Sequence, residues 1–213
     1  MGEIMDFQAK NTDEFIVEMQ GRLRDNDGCG VTHYNLGSAY VAKGRYVEAE
    51  AEFLRAVECS PTLVEAFVQL GGLAMNKGDL DGCLEYNERA IKVRPLFAVP
   101  HANVGFVHLQ RGEADKAIAA LKKAIRQDPK FVQALSSLAS AYFMKGELDL
   151  SMDYSKKTIE IEPKFGPAYN NMALVHMERG EYAQAKECLD KAVETGFTPH
   201  PGMVRELAEK LSA

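Results

Sequence analysis

The 213-residue chain carries a formal net charge of -6 at pH 7, with 46% hydrophobic and 26% charged residues. That is the composition of a soluble folded protein able to bury a core. It argues against a protein whose main task is to neutralise phosphates, which normally requires a basic face, and no run approaches the roughly 18 uncharged apolar residues of a membrane span.

The N-terminus, MGEIMDFQAKNTDEF, has acidic residues where a secretory signal would have a basic region followed by an apolar run, so a cytoplasmic protein is expected. Cys29, Cys59, Cys83 and Cys188 are widely and irregularly spaced. They form no C-x-x-C pair, and they read as reduced, mostly buried thiols. Residues 1–10 show no period and are expected to fray. A helix then starts at Asn11 as cap, with Glu14 three residues on and Phe15, Met19 and Leu23 on one face. Residues 24–28 end it, and it is expected to cover the open end of a helical stack that begins at residue 30.

From residue 30 the chain is periodic. Gly37, Gly71 and Gly105 are 34 residues apart, as are Gly44, Gly78, Gly112, Gly146 and Gly180, and Pro61, Pro95, Pro129 and Pro163. A period in this range signals stacked repeats rather than a catalytic core. The units are 30–63, 64–97, 98–131, 132–165 and 166–200, with an extension over 1–29 and a last segment over 201–213. In the central unit Pro100, Val104, Phe106, Val107 and Leu109 precede Gly112, and Ala117, Ile118, Leu121, Ala124 and Ile125 follow it at helical spacing. Glycine closes the first helix at positive φ, and Pro129 stops the second. Each unit is therefore a helix hairpin. Counting places from the first residue of a unit, small residues recur at the eighth (Gly37, Gly71, Gly105, Ala139, Ala173), the twentieth (Ala49, Cys83, Ala117, Ser151, Ala185) and the twenty-seventh (Ala56, Ala90, Ala124, Thr158, Ala192). Bulky Leu36, Leu70, Val104, Leu138 and Met172 stand beside the eighth place. The alternation predicts close helix contact.

The set Tyr34, Asn35, Leu36, Gly37, Tyr40, Gly44, Ala49, Phe53, Ala56 and Pro61 resembles the tetratricopeptide repeat, and five units over residues 30 to about 200 match the pattern. The resemblance implies an all-α, right-handed superhelical solenoid of about five hairpins with an N-terminal helix and a C-terminal capping helix. There are departures. His33 and His101 replace an aromatic at the fourth place, Asn87 and Ser155 a large residue at the twenty-fourth, and Phe197 the proline of the fifth unit. After Pro201 a final helix carries Val204, Leu207, Ala208 and Leu211 on one face and Arg205, Glu206, Glu209 and Lys210 on the other, as a solvating cap requires.

No G-x-S-x-G, H-E-x-x-H or phosphate-loop pattern is present. His33, His101, His108 and His176 recur at two repeat places and read as core or helix-junction residues, with no third ligand for a metal suggested. Neither a catalytic residue nor a cofactor is expected. The resemblance implies instead that the first helices line a ligand-facing groove. The sixth place reads Asn35, Gln69, Asn103, Ser137 and Asn171, side chains that both donate and accept hydrogen bonds. Such a ladder either clamps the backbone of an extended peptide or bonds neighbouring helices to each other. The twelfth place reads Val41, Met75, Leu109, Phe143 and Met177, with Phe106 nearby. This apolar strip either receives a partner or packs against the next helix. The lysine and arginine clamp by which chaperone-binding members of the family hold acidic tails has no counterpart here. The expected function is a non-enzymatic adaptor for a peptide or amphipathic helix with apolar anchors. A self-associating scaffold is the alternative.

Overall fold

The computed structural model describes residues 12–212, and the expected cap at Asn11 and frayed residues 1–10 lie outside that range. The described residues form helices α1 (Thr12–Asp25), α2 (Gly30–Ala42), α3 (Tyr46–Cys59), α4 (Val64–Asn76), α5 (Leu80–Val93), α6 (Ala98–Gln110), α7 (Ala114–Gln127), α8 (Val132–Met144), α9 (Leu148–Ile161), α10 (Gly166–Glu178), α11 (Tyr182–Glu194) and α12 (Pro201–Ser212). No strand occurs among them. Five antiparallel hairpins, α2/α3 to α10/α11, dominate the packing. The fold is an all-α helical solenoid of hairpin repeats. It divides into two compact units, residues 1–96 and 97–213, a boundary the repeat period does not show.

Each hairpin turns the same way. At the central corner Gly112 takes φ 72°, Gly112 N–H donates to the Leu109 carbonyl at 3.0 Å, and Glu113 N–H donates to the His108 carbonyl at 2.9 Å. This pair of bonds satisfies carbonyls the helix end would orphan, and it requires a left-handed residue at the corner. The second helices stop where the residue before proline is forced extended, as Asp128 is at φ -134° and ψ 96°. The fifth hairpin lacks that proline. Gly196 at φ 86° ends α11 in its stead, and Phe197 N–H donates to the Ala192 carbonyl at 3.1 Å.

The small places are the contact line within each hairpin. All residues at the twentieth and twenty-seventh places are buried. A Cβ on Gly37 would lie 2.8 Å from the fully buried ring of Phe53, and one on Gly105 2.5 Å from Leu121 Cγ. First helices are apolar around most of their circumference because they are contacted on several sides. Second helices carry one apolar stripe and a charged outer face. The departures at the twenty-fourth place are satisfied locally: Asn87 Nδ2 donates to the Cys83 carbonyl at 2.8 Å, and Ser155 Oγ to the Ser151 carbonyl at 2.8 Å. In the first unit Phe15, Met19, Leu36, Phe53 and Leu70 share one core. The second unit has two clusters, around Leu121 and Leu138 and around Leu189 and Leu207.

α12 differs from the sequence expectation. Met203 and Leu207 are its buried residues, whereas Val204 and Leu211 remain 47% and 45% exposed. The third place is buried in all five preceding first helices, at Thr32, Ala66, Pro100, Ala134 and Ala168, and Met203 holds that place in α12. The fourth, eighth and eleventh places, where Val204, Ala208 and Leu211 stand, are those that meet a hairpin's own second helix.

Candidate functional site

In the second unit α8 packs against both α6 and α10, so three first helices present one face. Asn103, Phe106 and Leu109 lie on α6, Ser137 and Phe143 on α8, and Asn171 and Met177 on α10, while Asn35 on α2 and Gln69 on α4 belong to the first unit. Asn35 and Asn171 are 3% and 5% exposed, whereas Gln69, Asn103 and Ser137 are half-buried. The amide of Asn171 ties its helix to the previous one: Nδ2 donates to the Ser136 carbonyl at 3.0 Å, and Oδ1 accepts from Ser140 Oγ at 3.1 Å. At that rung the bond between neighbouring helices is the one formed. Next to it, the side-chain oxygen of Asn170 is buried with no hydrogen-bond partner.

The apolar strip divides in a similar way. Leu109 is 9% exposed and packs in the core with Ala117, Leu121 and Leu138, whereas Phe106, Phe143 and Met177 are half-buried. Phe143 and Met177 come together, with Leu174, Tyr182 and Met203, in the wall of a cleft of about 450 Å³. Glu178, Glu206, His200 and Lys210 also line it. Met203 joins this wall because of the third-place register of α12, and Glu206 and Lys210 consequently border the cleft rather than a featureless solvated face. The repeat spacing carried that signal, since the third place could have been compared across units.

The histidines have local partners. His108 Nδ1 lies 2.6 Å from Glu113 Oε2 and His176 Nδ1 2.5 Å from Glu181 Oε2, the same two repeat places in each hairpin. His33 is buried, with Nδ1 2.6 Å from Glu52 Oε2 and Nε2 2.8 Å from the Asp27 carbonyl. Among the described residues no group of three or more His, Cys, Asp or Glu is placed to hold a metal ion. No described helix is long and apolar enough to cross a membrane.

Comparison with known proteins bears on the architecture. No curated protein matches the sequence. A family profile described as "TPR repeat" matches residues 105–146, and one described as "Tetratricopeptide repeat" matches 31–63 and 166–195. Among solved structures, MamA is similar at a TM-score of 0.65 and 25% identity, over 76% of this chain and 94% of its own. PilW, described as a widely conserved type IV pilus biogenesis factor, is similar at a TM-score of 0.76 and 19% identity, over 86% of each chain. YrrB, described as a TPR protein with an unusual peptide-binding site, is similar at a TM-score of 0.70 and 16% identity, over 90% of this chain and 97% of its own. Periodicity, hairpin geometry, profile matches and structural likeness agree: the chain belongs to the tetratricopeptide repeat family.

Proposed function

We propose that this protein is a non-enzymatic interaction module whose second unit binds a peptide or amphipathic helix on the face of α6, α8 and α10. The observation that carries the reading is the cleft of about 450 Å³, where Phe143, Leu174, Met177 and Met203 offer an apolar floor beside Glu178, Glu206 and Lys210. A cleft that sets large apolar side chains among charged and polar groups suits one or two apolar side chains held in a fixed orientation by polar contacts. Phe143 and Met177 are the anchors in this reading, and methionine adapts to varied partner shapes. Asn103, Phe106 and Ser137 continue the face, and Leu109 supports it from the core. The similar fold of YrrB, described as having an unusual peptide-binding site, supports the reading.

Selection of 12-residue peptides from a displayed random library, followed by calorimetric titration, tests the reading. Phe143→Ala combined with Met177→Ala is expected to weaken a selected peptide at least ~10-fold, since each buried anchor contributes about 1 kcal/mol or more. Helix content should be unchanged. Equal affinity for the variant and the parent would place binding elsewhere. A second reading, self-association, rests on exposed Val193, Val204 and Leu211 around a smaller apolar groove of about 180 Å³ between α11 and α12. A mass that stays monomeric by light scattering across a concentration series removes it.

A further inference from the structure

The four cysteines fall into two classes. Cys83 and Cys188 are buried, and burial raises both thiols. Cys29 and Cys59 are only half-buried, and one corner of the first unit brings them together. Cys29 is the N-cap residue of α2, and Cys59 is the last residue of α3. Their chain neighbours touch: a Cβ on Gly30 would lie 2.6 Å from Ser60 Cβ and 2.8 Å from the Ala56 carbonyl oxygen. Consecutive Cα atoms are about 3.8 Å apart, so Cys29 and Cys59 each stand one step from that contact. The Cys59 thiol also donates to the carbonyl of Asp27 at 3.7 Å, only two residues before Cys29. The same carbonyl faces His33 Nε2 at 2.8 Å, so it retains a partner when the thiol turns away.

We propose that Cys29 and Cys59 form a redox-active dithiol that closes to an intramolecular disulfide between the start of α2 and the end of α3. The oxidant is a small disulfide of the oxidised glutathione class. Cys29 loses its proton, and its thiolate attacks one sulfur of the reagent, breaking the reagent's S–S bond and releasing one reagent thiol. Cys59, as thiolate, then attacks the Cys29 sulfur of the mixed disulfide and expels the second reagent thiol. Two electrons pass from the protein thiols to the reagent, and two protons end on the reagent thiols. The order follows from position. Cys29 lies at a helix N-terminus, where amide N–H groups favour a thiolate, and hydrogen bonding from Thr32 lowers its thiol below the ordinary value. Closure joins two residues at the same end of one hairpin, on either side of the Gly30–Ser60 contact, and it requires their Cα atoms to lie within about 7 Å.

The test is incubation of the folded protein with oxidised glutathione, alkylation of remaining thiols, and tryptic mass spectrometry without reduction. The expected product is a monomer in which peptide 25–43 is linked to peptide 56–77, with Cys83 and Cys188 alkylated only after unfolding. Cys59→Ser is expected to stop at a glutathione adduct on Cys29, and Cys29→Ser to form no intramolecular link. Persistent separate adducts on Cys29 and Cys59, links only between molecules, or no reaction at either thiol overturns the proposal. So does a Cys59→Ser protein that clears its Cys29 adduct.

Discussion

The eighth-place glycines show how much one atom decides. Gly37 lies in the middle of α2, where alanine is favoured intrinsically by about 1 kcal/mol. The added Cβ would nevertheless sit 2.8 Å from the ring of Phe53, which is fully buried and has nowhere to move. Gly37→Ala is therefore expected to destabilise the first unit by ~1–3 kcal/mol in urea unfolding. Gly72→Ala, on α4 with no atom within 4 Å of its Cβ, is expected to stabilise the same unit by up to ~1 kcal/mol. Equal signs for the two would show that packing does not choose glycine here. Cys83 makes a pH prediction. Burial pushes its thiol up to about 11 from 9.0, so the folded state holds the proton more tightly than the unfolded one. The unfolded chain then loses its proton first as pH rises, and stability falls between about pH 9 and 11 by ~2 kcal/mol at most. Under reductant, Cys83→Ala should show a correspondingly smaller loss between pH 8 and 11. An identical loss in parent and variant would remove Cys83 as the source.

A recurring ion pair ties the end of a first helix to the helix before that hairpin, α1 in the first case and a preceding second helix in the others. Lys43 meets Asp13 at 2.8 Å, Lys77 meets Glu50 at 2.5 Å, Lys145 meets Asp115 at 2.8 Å, and Arg179 meets Asp149. Each cation is the residue before a corner glycine, where it also faces the negative end of its first helix. These pairs are solvent-exposed, so Lys145→Ala is expected to lower stability only slightly at low salt, and progressively less as salt is added. A loss that does not change with salt would mean that Lys145 acts through packing. Helices and corners were legible in the sequence because glycine and proline impose backbone geometry locally. The ion pairs left an equally regular trace, a basic residue at the fourteenth place of every unit, but their partners lie in other helices. The candidate site was read in part. Phe143 and Met177 were reached through their shared place, but whether a side chain points to core or cleft depends on how adjacent helices pack. That is why Leu109 sits in the core and Asn171 bonds to Ser136.

At the level of the molecule the division after Leu96 has a measurable consequence. The second unit's two clusters draw only on its own residues, from Ala102 to Leu207. A fragment of residues 97–213 is therefore expected to fold alone, with a helical far-ultraviolet spectrum and a cooperative melt, because the core it needs is complete within it. A non-cooperative melt would show that the first unit supplies something the clusters do not. The division was invisible to the period, since a repeat reads the same on both sides of it. The corner glycines have a different consequence. At Gly44, Gly78, Gly112, Gly146 and Gly180 nothing lies within 4 Å of a built Cβ, so each corner opens onto empty space. The chain thus offers an insertion point every 34 residues, where a foreign loop can be spliced without shifting the register of the helices on either side, provided the glycine that ends the first helix is kept.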